Sequence, residues 1–251
     1  MEVSGDSGNT QRYLIIDCGN TRTKFGIFEN QEFIFGLTSS AEESYTSLLE
    51  LIETYSPTYS ILSTVRRLDD AFIRLIEEKT TSFKLTDKTK IPLHISYETP
   101  QTLGSDRLAD AVGGWVLSNK ENCLVVDCGT CITYNIVLQN SYIGGAISPG
   151  IQLRFKALHT FTDALPLVEI DPDFEGIGKN TENSIRSGVQ TAVLLEVEAM
   201  IKKICSENEI SNVYITGGDR AFFEKGLKTT TFAHSRLTLF GLNEILRHNL
   251  V

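Results

Sequence analysis

Apolar and polar positions in the first half of the chain predict three β-strands followed by alternating helices and strands. Apolar stretches at 13–16, 24–28 and 33–35 are separated by short polar turns, which is typical of antiparallel strands. Apolar residues at helical spacing predict helices over 45–55 and 70–78, and Ser40 with Glu43 has the spacing of a capping box before the first of them. Further strands are predicted at 59–64, 83–85 and 93–96, so the pattern as a whole predicts an α/β fold.

The second half of the chain repeats this plan. A hairpin is predicted from 123–126 and 132–138, followed by a strand at 142–147 and helices over 152–160 and 182–205. A strand at 212–216 and a final strand and helix near 231–232 and 239–248 complete it. A helix with Leu108, Val112 and Trp115 on one face joins the halves. We therefore predict a loose N-terminal tail over 1–12 and two similar domains, over 13–118 and 119–251, with a cleft between them.

The same short motif follows the first apolar strand of each half. It reads Asp-Cys-Gly at 17–19 and again at 127–129, and each copy has a threonine six residues after its aspartate, at Thr23 and Thr133. Each copy alone is compatible with an ordinary hairpin turn. A matched pair, brought face to face, favours a phosphate-binding cleft, because two carboxylates would line it and glycine lets a ligand approach backbone N–H groups.

Net charge and hydropathy restrict the expected partners. The net charge of −9 argues against a nucleic-acid surface or an anionic membrane as partner. No apolar stretch approaches the roughly 20 residues that span a bilayer, so no membrane segment is expected. Residues 1–10 lack the basic and apolar regions of a signal peptide. We therefore expect a cytoplasmic protein.

The five cysteines fit a reducing compartment better than a disulfide framework, since their number is odd. Cys128 and Cys131 form a C-x-x-C pair. A zinc site would need two further ligands at compatible spacing, and no second C-x-x-C is present. A redox pair is expected at the start of a helix, whereas this pair lies in a turn between two predicted strands. Packing of small residues is therefore favoured over either metal or redox use.

Two further segments carry groups suited to phosphoryl transfer. The loop from Asp17 to Lys24 contains two hydroxyls, a carboxylate and two cations, which could hold phosphates, and Asp17 could hold a divalent ion through water. Asp106 and Arg107 begin a predicted helix, where they could simply be a helix cap and its surface partner. An attacking alcohol, however, needs a proton acceptor and a nearby positive charge, and these two residues offer both.

Glycine-rich segments at 143–150 and 216–218 suit close approach by a ligand, although tight turns explain them almost as well. The second ends a predicted strand and is a candidate seat for the adenosine half of a nucleotide. Neither a P-loop motif nor a Rossmann glycine motif is present. A nucleotide, if bound, would therefore need another type of site.

In their order along the chain, these motifs resemble those of the type III pantothenate kinases of bacteria, within the superfamily of acetate and sugar kinases, Hsp70 and actin. The similarity extends from about residue 14 to residue 242. It rests on Asp-x-Gly-Asn-Thr at 17–21, Gly-x-Asp-Arg at 104–107, Asp-x-Gly-Thr at 127–130, Gly-Gly-x-Ile-x-Pro-Gly at 144–150, Thr181 with Ser184, Ile185 and Gly188, and Thr-Gly-Gly at 216–218.

The resemblance implies a duplicated ribonuclease H-like fold of the actin-like ATPase type, with an interdomain cleft. It implies transfer of the γ-phosphoryl group of ATP to pantothenate, giving 4'-phosphopantothenate in the first step of coenzyme A biosynthesis. It further implies a need for Mg²⁺ and for a monovalent cation, K⁺ or NH₄⁺. The family also forms homodimers, with pantothenate bound near the subunit interface.

The same resemblance implies a role for each motif residue. Asp106 is expected to be the general base, Asp127 to hold the monovalent cation, and Asp17 to hold Mg²⁺ through water. The residues expected to bind ATP are Asp17, Cys18, Gly19, Asn20, Thr21, Arg22, Thr23, Lys24 and Thr130. Those expected to bind pantothenate are Tyr97, Gly104, Ser105, Asp106, Arg107 and Thr181.

Two positions depart from the family pattern, in which alanine is usual at Cys131 and an acidic residue at Asn135. Two other functions stay open: a nucleotide-binding regulatory homologue without kinase activity, and a kinase of the same superfamily that acts on a sugar or on acetate. The presence of both the first loop and Asp106 argues against the former. The set of residues expected to bind pantothenate argues against the latter.

Overall fold

The computed structural model describes residues 11–174 and 176–250, and the chain divides into two compact units. The first contains the chain up to Pro92, Thr99–Gly113 and the chain from Thr238 onwards, and the second contains Leu93–Glu98 and Gly114–Leu237. The chain therefore returns to the first unit at its C-terminal end, which the sequence did not predict. Of the predicted tail, residues 1–10 lie outside the described residues, whereas Arg12 already belongs to the first strand.

The first unit is built on a five-stranded sheet with two helices in the chain between its strands. Its elements, in chain order, are β1 (Arg12–Cys18), β2 (Arg22–Glu29), β3 (Glu32–Ser40), α1 (Ser44–Tyr55), β4 (Tyr59–Thr64), α2 (Asp70–Lys79) and β5 (Thr81–Lys84). A 3₁₀ turn at Pro100–Thr102 leads into α3 (Ser105–Leu117), and α8 (Leu237–Asn249) ends the chain. The change of unit at Gly113 falls within α3.

The second unit is built on a six-stranded sheet. Its elements are β6 (His94–Ile95), β7 (Cys123–Cys128), β8 (Cys131–Leu138), β9 (Ser141–Pro149), α4 (Ile151–Thr160), α5 (Thr181–Arg186), a π-helical turn (Ser187–Thr191), α6 (Ala192–Asn208), β10 (Asn212–Thr216), α7 (Arg220–Gly226) and β11 (Phe232–Ala233). No helix in the described parts of the chain is both long and apolar enough to cross a bilayer.

The two sheets have the same strand order, and this confirms the predicted duplication. The order is β3-β2-β1-β4-β5 in the first unit and β9-β8-β7-β10-β11 in the second, where β6 is added beside β9. In each sheet the first three strands are antiparallel and the next two run parallel to the first. This is the ribonuclease H-like arrangement, present twice.

Each unit has its own apolar core, because strands buried on both faces need a layer of helix to cover them. In the first unit, residues of β1 and β2 pack with Leu48 and Ile52 of α1 and with Phe72 and Ile76 of α2. In the second, α4 and α6 cover the sheet with side chains such as Phe155 and a run of buried valine and isoleucine residues. Both aspartates of the repeated motif lie at strand ends on these sheets.

Three local predictions differ from the structure. Ser40 and Glu43 do exchange hydrogen bonds, but in a turn that precedes α1, whose N-cap is Glu43. The single helix predicted over 182–205 is interrupted by the π-helical turn at Ser187–Thr191. The short helix α7 was not predicted, since its seven residues are too few for a periodic signal.

Close packing of α8 on α3 explains why the C-terminal helix belongs to the first unit. A Cβ at Gly241 would overlap the carbonyl oxygen of Ala109, so the two backbones meet without a side chain between them. The Thr238 hydroxyl donates to the buried carboxylate of Asp110 at 2.8 Å. Because a buried carboxylate needs such a donor, this bond fixes the start of α8 on α3.

We expect Gly241→Ala to lower the free energy of unfolding by about 2 kcal/mol, because the added methyl group would overlap the Ala109 carbonyl and force the helices apart. Thermal unfolding followed by circular dichroism measures the effect. Gly188→Ala is the matched control, since open space surrounds that glycine in the π-helical turn. Equal destabilisation by both variants would contradict the close approach of α8 to α3.

Candidate active site

The Asp17 carboxylate lies where three strands of the first unit come together. Asp17 is near the end of β1, opposite Lys24 of the antiparallel strand β2 and beside Ser63 of the parallel strand β4. Residues paired in this way place their side chains on one face of the sheet. The Lys24 ammonium accordingly lies 3.8 Å from Asp17 Oδ2. Asp17 itself is only 8% exposed.

The environment of Asp17 raises its pKa above the ordinary value. Burial is the largest cause, because it removes water from the charged form, and the nearby Asp106 carboxylate raises the pKa further. Lys24 and the Ser63 hydroxyl act in the opposite direction by stabilising the carboxylate. Asp106 is therefore close enough to Asp17 to influence its pKa.

Asp106 occupies the first turn of α3 in a conformation that depends on the preceding glycine. Its Oδ1 accepts a hydrogen bond from the backbone N–H of Arg107 at 2.8 Å. The same oxygen fills the space that a Cβ at Gly104 would need. Gly104 is therefore required for the position of this carboxylate, which explains why the motif needs a glycine two residues before the aspartate.

The other residues of the tetrad lie at the same helix start. Arg107 is buried, and Ser105 is the first residue of α3, half-buried, with its Oγ 3.1 Å from Ser63 Oγ. The first unit thus brings Asp17, Lys24 and the whole predicted tetrad close together. It also adds Ser63, which the sequence analysis missed. The available signal was a polar residue near the carboxyl end of a buried strand parallel to β1.

The loop after Asp17 divides into buried and exposed residues. Asn20, Thr21 and Arg22 are exposed and available to a ligand. Cys18 and Thr23, by contrast, are fully buried, and the Thr23 hydroxyl lies 3.8 Å from the Cys18 sulfur and accepts a hydrogen bond from Arg66 Nη2 at 3.2 Å. The side chains of Cys18 and Thr23 therefore belong to the core.

The two copies of the motif differ in the length of their turns by one residue. Residues 19–22 connect the paired positions Cys18 and Thr23, whereas 129–131 connect Cys128 and Ile132. The threonines at equal sequence distance from the aspartates therefore fall in different registers. Thr133 faces Asp127, and its counterpart facing Asp17 is Lys24.

In the second unit, Asp127 lies beside a buried hydroxyl that has no hydrogen-bond partner. Thr216 of β10 pairs with Asp127, is 1% exposed, and its Oγ1 has no partner among the described residues. Gly217 follows with φ of 97°, and a Cβ there would overlap Asp127 Oδ1. An unsatisfied buried oxygen next to a carboxylate is a suitable pair of ligands for a cation.

The backbone of the second motif loop is held by the glycine-rich segment. The N–H of Gly150 donates to the carbonyl of Thr130 at 3.0 Å, and a Cβ at Gly150 would overlap the loop. The Thr130 side chain itself is exposed. The segment at 143–150 is therefore explained by close backbone packing on the loop that carries Thr130.

Tyr97 packs against the second sheet near the family-variant Asn135. Its ring lies 6.0 Å from that of Tyr142 and covers Gly144, whose φ is 111°. The Tyr142 hydroxyl donates to Asn135 Oδ1 at 3.3 Å, and Asn135 Nδ2 donates to Thr133 Oγ1 at 3.1 Å. An amide can accept one bond and donate the other, which an ionised carboxylate cannot do. The hydrogen bonds with Tyr142 and Thr133 therefore suit an amide at position 135.

Thr181 is the exposed first residue of α5, next to the N-cap Asn180, whose side chain accepts from the N–H of Asn183. Thr181, Tyr97, Thr130 and Asp127 lie in the second unit, whereas Asp17, Lys24 and the tetrad lie in the first. The predicted cleft that would join the two sets stays a prediction.

One cysteine of the C-x-x-C pair, Cys128, has a thiol that is difficult to ionise. Burial raises the pKa of the Cys128 thiol, and the carboxylates of Asp127 and Asp219 raise it further. A protonated thiol is a poor metal ligand and a poor nucleophile. Across the described residues, no group of three or more His, Cys, Asp or Glu side chains is arranged to hold a metal ion.

Two sheets of one topology, each with an aspartate near the end of its first strand, define the fold class of the actin-like ATPases. A conserved protein of Campylobacter jejuni assigned to the Baf family of transcriptional activators has a similar structure, with a TM-score of 0.62, 18% identity, and coverage of 94% of this chain and 98% of that one. The activator of 2-hydroxyisocaproyl-CoA dehydratase from Clostridium difficile, with bound ADPNP, gives a TM-score of 0.57, 14% identity, and coverage of 96% and 97%.

Sequence comparison narrows this class to one family. The model of the type III pantothenate kinase family matches residues 13–203. A type III pantothenate kinase of Azobacteroides pseudotrichonymphae is 39% identical over 238 residues, which cover 93% of this chain and 96% of the relative. The chain belongs to the type III pantothenate kinase family.

We expect Asp17→Asn to raise the free energy of unfolding of the unliganded protein at pH 7 to 8, by about 1 kcal/mol. The folded-state pKa of Asp17 is raised mainly by burial. Its contribution to stability is therefore complete below the unfolded-state value and is lost as pH rises through the folded-state pKa. Urea unfolding at several pH values measures the difference, which should shrink as the pH is lowered.

Glu198→Gln is the contrasting control. Burial raises the pKa of Glu198, but hydrogen bonds from Lys202, Thr229 and the backbone outweigh burial and lower it to about 2. This group stabilises the fold above its unfolded-state pKa, and that stability is lost as pH falls towards 2. Glu198→Gln should therefore lower stability at pH 7. A loss of stability in Asp17→Asn at pH 7 would contradict the assignment of a strained carboxylate.

Proposed function

We propose that this chain transfers the γ-phosphoryl group of ATP to the primary hydroxyl of pantothenate, giving 4'-phosphopantothenate in the first step of coenzyme A biosynthesis. The observation that carries the proposal is the Asp106 carboxylate, held in place through Gly104 and lying near the buried Asp17. The family match over residues 13–203 supports pantothenate as the acceptor. A coupled assay of ADP release with pantothenate, a hexose and acetate as acceptors tests it.

The groups around Asp17 suit the binding of a nucleotide triphosphate. Arg22 and Lys24 supply positive charge beside the exposed residues Asn20 and Thr21. A cation near Asp17 and Asp106 would relieve the repulsion that raises the pKa of Asp17, so the residues fit an Mg²⁺ ion held by Asp17 through water. When bound, Mg²⁺ supplies charge that offsets the phosphate oxygens. Thr130 would contact ATP from the second unit.

Asp106 would act as the general base in the reaction. Asp106 Oδ1 accepts from the Arg107 N–H, and a carboxylate has further acceptor sites for the pantothenate hydroxyl. Arg107 would place positive charge near the transferred group. Gly104, Ser105, Tyr97 and Thr181 complete the residues proposed to bind pantothenate. Asp106 and the first loop are both present in the sequence, which argues against a regulatory homologue without activity.

The proposal includes a monovalent cation, K⁺ or NH₄⁺, at Asp127. Thr216 pairs with Asp127 on the neighbouring strand, and its buried Oγ1 has no hydrogen-bond partner among the described residues. This oxygen could therefore coordinate the cation. The cation would supply local positive charge, and the protein would contribute the two oxygens. We further propose a cytoplasmic location, because all five cysteines are free, as is usual in a reducing compartment.

We expect Asp106→Asn to reduce turnover by about 10²- to 10⁴-fold, because an amide cannot accept the hydroxyl proton. The amide oxygen can still accept from the Arg107 N–H, so the fold should be retained, and circular dichroism checks this. Asp70→Asn is the matched control, since Asp70 begins α2 as an acidic residue of a first helical turn. Turnover of pantothenate by Asp106→Asn at the parent rate would refute Asp106 as the base.

We also propose that the protein is a homodimer, formed through an apolar surface of the second unit. Ile147 at the end of β9 and Leu195 in α6 are 62% and 66% exposed. Their sequence neighbours Ser148 and Glu196 share a hydrogen bond of 2.8 Å, so these exposed residues lie on adjoining elements. Exposed apolar side chains that adjoin in this way are typical of a surface covered by a partner.

We expect Leu195→Glu to convert the dimer to monomers, because a charge at the centre of an apolar contact would be buried without a partner. Sedimentation velocity at several protein concentrations measures the change. Phe232→Glu is the control, since Phe232 is also an exposed apolar residue but lies in β11, at the opposite edge of the same sheet. A parent protein that sediments as a monomer would refute the dimer, and a dimeric Leu195→Glu would refute this interface.

A further inference from the structure

Two serine hydroxyls lie between the Asp17 carboxylate and the start of α3. Ser63 is fully buried and stands beside Asp17 in the parallel pairing of β1 and β4. The Ser63 hydroxyl lowers the pKa of Asp17, as a donor close to the carboxylate would. On its other side, Ser63 Oγ lies 3.1 Å from Ser105 Oγ. A chain of neighbouring polar side chains therefore runs from Asp17 through Ser63 to the first residue of α3.

The direction of this chain follows from the number of protons available. An ionised carboxylate only accepts hydrogen bonds, and each serine hydroxyl has one proton to donate. Ser63 must therefore donate to Asp17, which leaves its oxygen as an acceptor. Ser105 must then donate to Ser63. Both protons point towards Asp17, and bonds aligned in this way strengthen one another.

The chain opposes a repulsion that the site contains. Asp106 follows Ser105 directly in α3, and its carboxylate acts unfavourably on Asp17. Without a link between β4 and the helix start, the two like charges would tend to separate. The serine pair holds the backbone that precedes Asp106 while it also satisfies Asp17.

We propose that Ser63 and Ser105 are positioning residues that fix the Asp17 carboxylate and the first turn of α3 relative to each other. They act through Asp17 and Asp106, and for Ser105 this role is in addition to the proposed contact with pantothenate. Ser63 lies outside every motif of the sequence, and Ser105 occupies the variable position of Gly-x-Asp-Arg. The kinetic part of this inference rests on the proposed function.

Ser60 provides a matched control that distinguishes a positioning role of Ser63 from a purely structural one. Both serines are in β4, both are fully buried, and each hydroxyl is bonded to another hydroxyl, since Ser60 Oγ lies 2.7 Å from Thr80 Oγ1. Ser60, however, has no link to Asp17. Ser60→Ala and Ser63→Ala therefore remove equally buried hydroxyls from one strand, and only the second breaks the chain.

The experiment measures kcat, KM for pantothenate and the thermal midpoint for Ser63→Ala, Ser105→Ala, Ser105→Thr and Ser60→Ala. We expect Ser63→Ala to lower kcat roughly 10- to 100-fold with KM changed less than threefold, as is usual when groups that orient a site are lost. Ser105→Ala should have a smaller effect, because Ser63 can still donate to Asp17. Ser105→Thr keeps the hydroxyl and should therefore lose less kcat than Ser105→Ala.

Ser60→Ala should lose as much thermal stability as Ser63→Ala and keep the parent kcat. Equal losses of kcat in both alanine variants, or a parent kcat in Ser63→Ala, would overturn the proposal. A parent enzyme without activity on pantothenate would refute the proposed function instead. In that case, crystal structures of the unliganded variants test the positioning role. The proposal requires that Asp17 or the first turn of α3 moves in Ser63→Ala and that neither moves in Ser60→Ala.

Discussion

The main constraint on the first unit is the burial of one ionisable carboxyl group, because the surrounding strands must offset part of the cost of its charge. Burial disfavours the ionised form of Asp17, and Asp106 adds a like charge nearby. Two neighbours offset part of this cost. The register of the hairpin places Lys24 opposite Asp17, and the parallel strand β4 supplies the Ser63 hydroxyl. The strand order thus brings one cation and one donor to the acid. A cation placed beside Asp17 would reduce the unfavourable energy that remains.

Glycine has the same physical role in both units. Gly104 vacates the space that Asp106 Oδ1 fills, and Gly217 vacates the space beside Asp127 Oδ1. In each unit a motif glycine therefore lets an aspartate oxygen approach the backbone more closely than a side chain would allow. This accounts for the pairing of glycine with aspartate in the motifs on steric grounds. Gly150 differs from these two glycines, because the atoms that a Cβ would overlap there belong to the backbone of the neighbouring loop and not to a carboxylate.

The sequence predicted what depends on local periodicity and missed what depends on tertiary contact. Both hairpins, most strands and the duplication followed from apolar spacing and the repeated motif, and the structure confirms the duplicated fold. The return of α8 to the first unit depends on Gly241 meeting Ala109, which no periodic pattern encodes. The burial of Thr23 was not predicted either, because the first turn is one residue longer than the second and register cannot be read from spacing alone.

Duplication of the fold does not make the two aspartates equivalent. The longer first turn sets the Lys24 ammonium opposite Asp17, whereas the shorter second turn sets the Thr133 hydroxyl opposite Asp127. Thr133 in turn accepts from Asn135, which is held by Tyr142, so the neighbours identified for Asp127 on β8 are neutral. One additional residue in the first turn is therefore enough to give the two aspartates different partners on the neighbouring strand, an ammonium in one copy and a hydroxyl in the other.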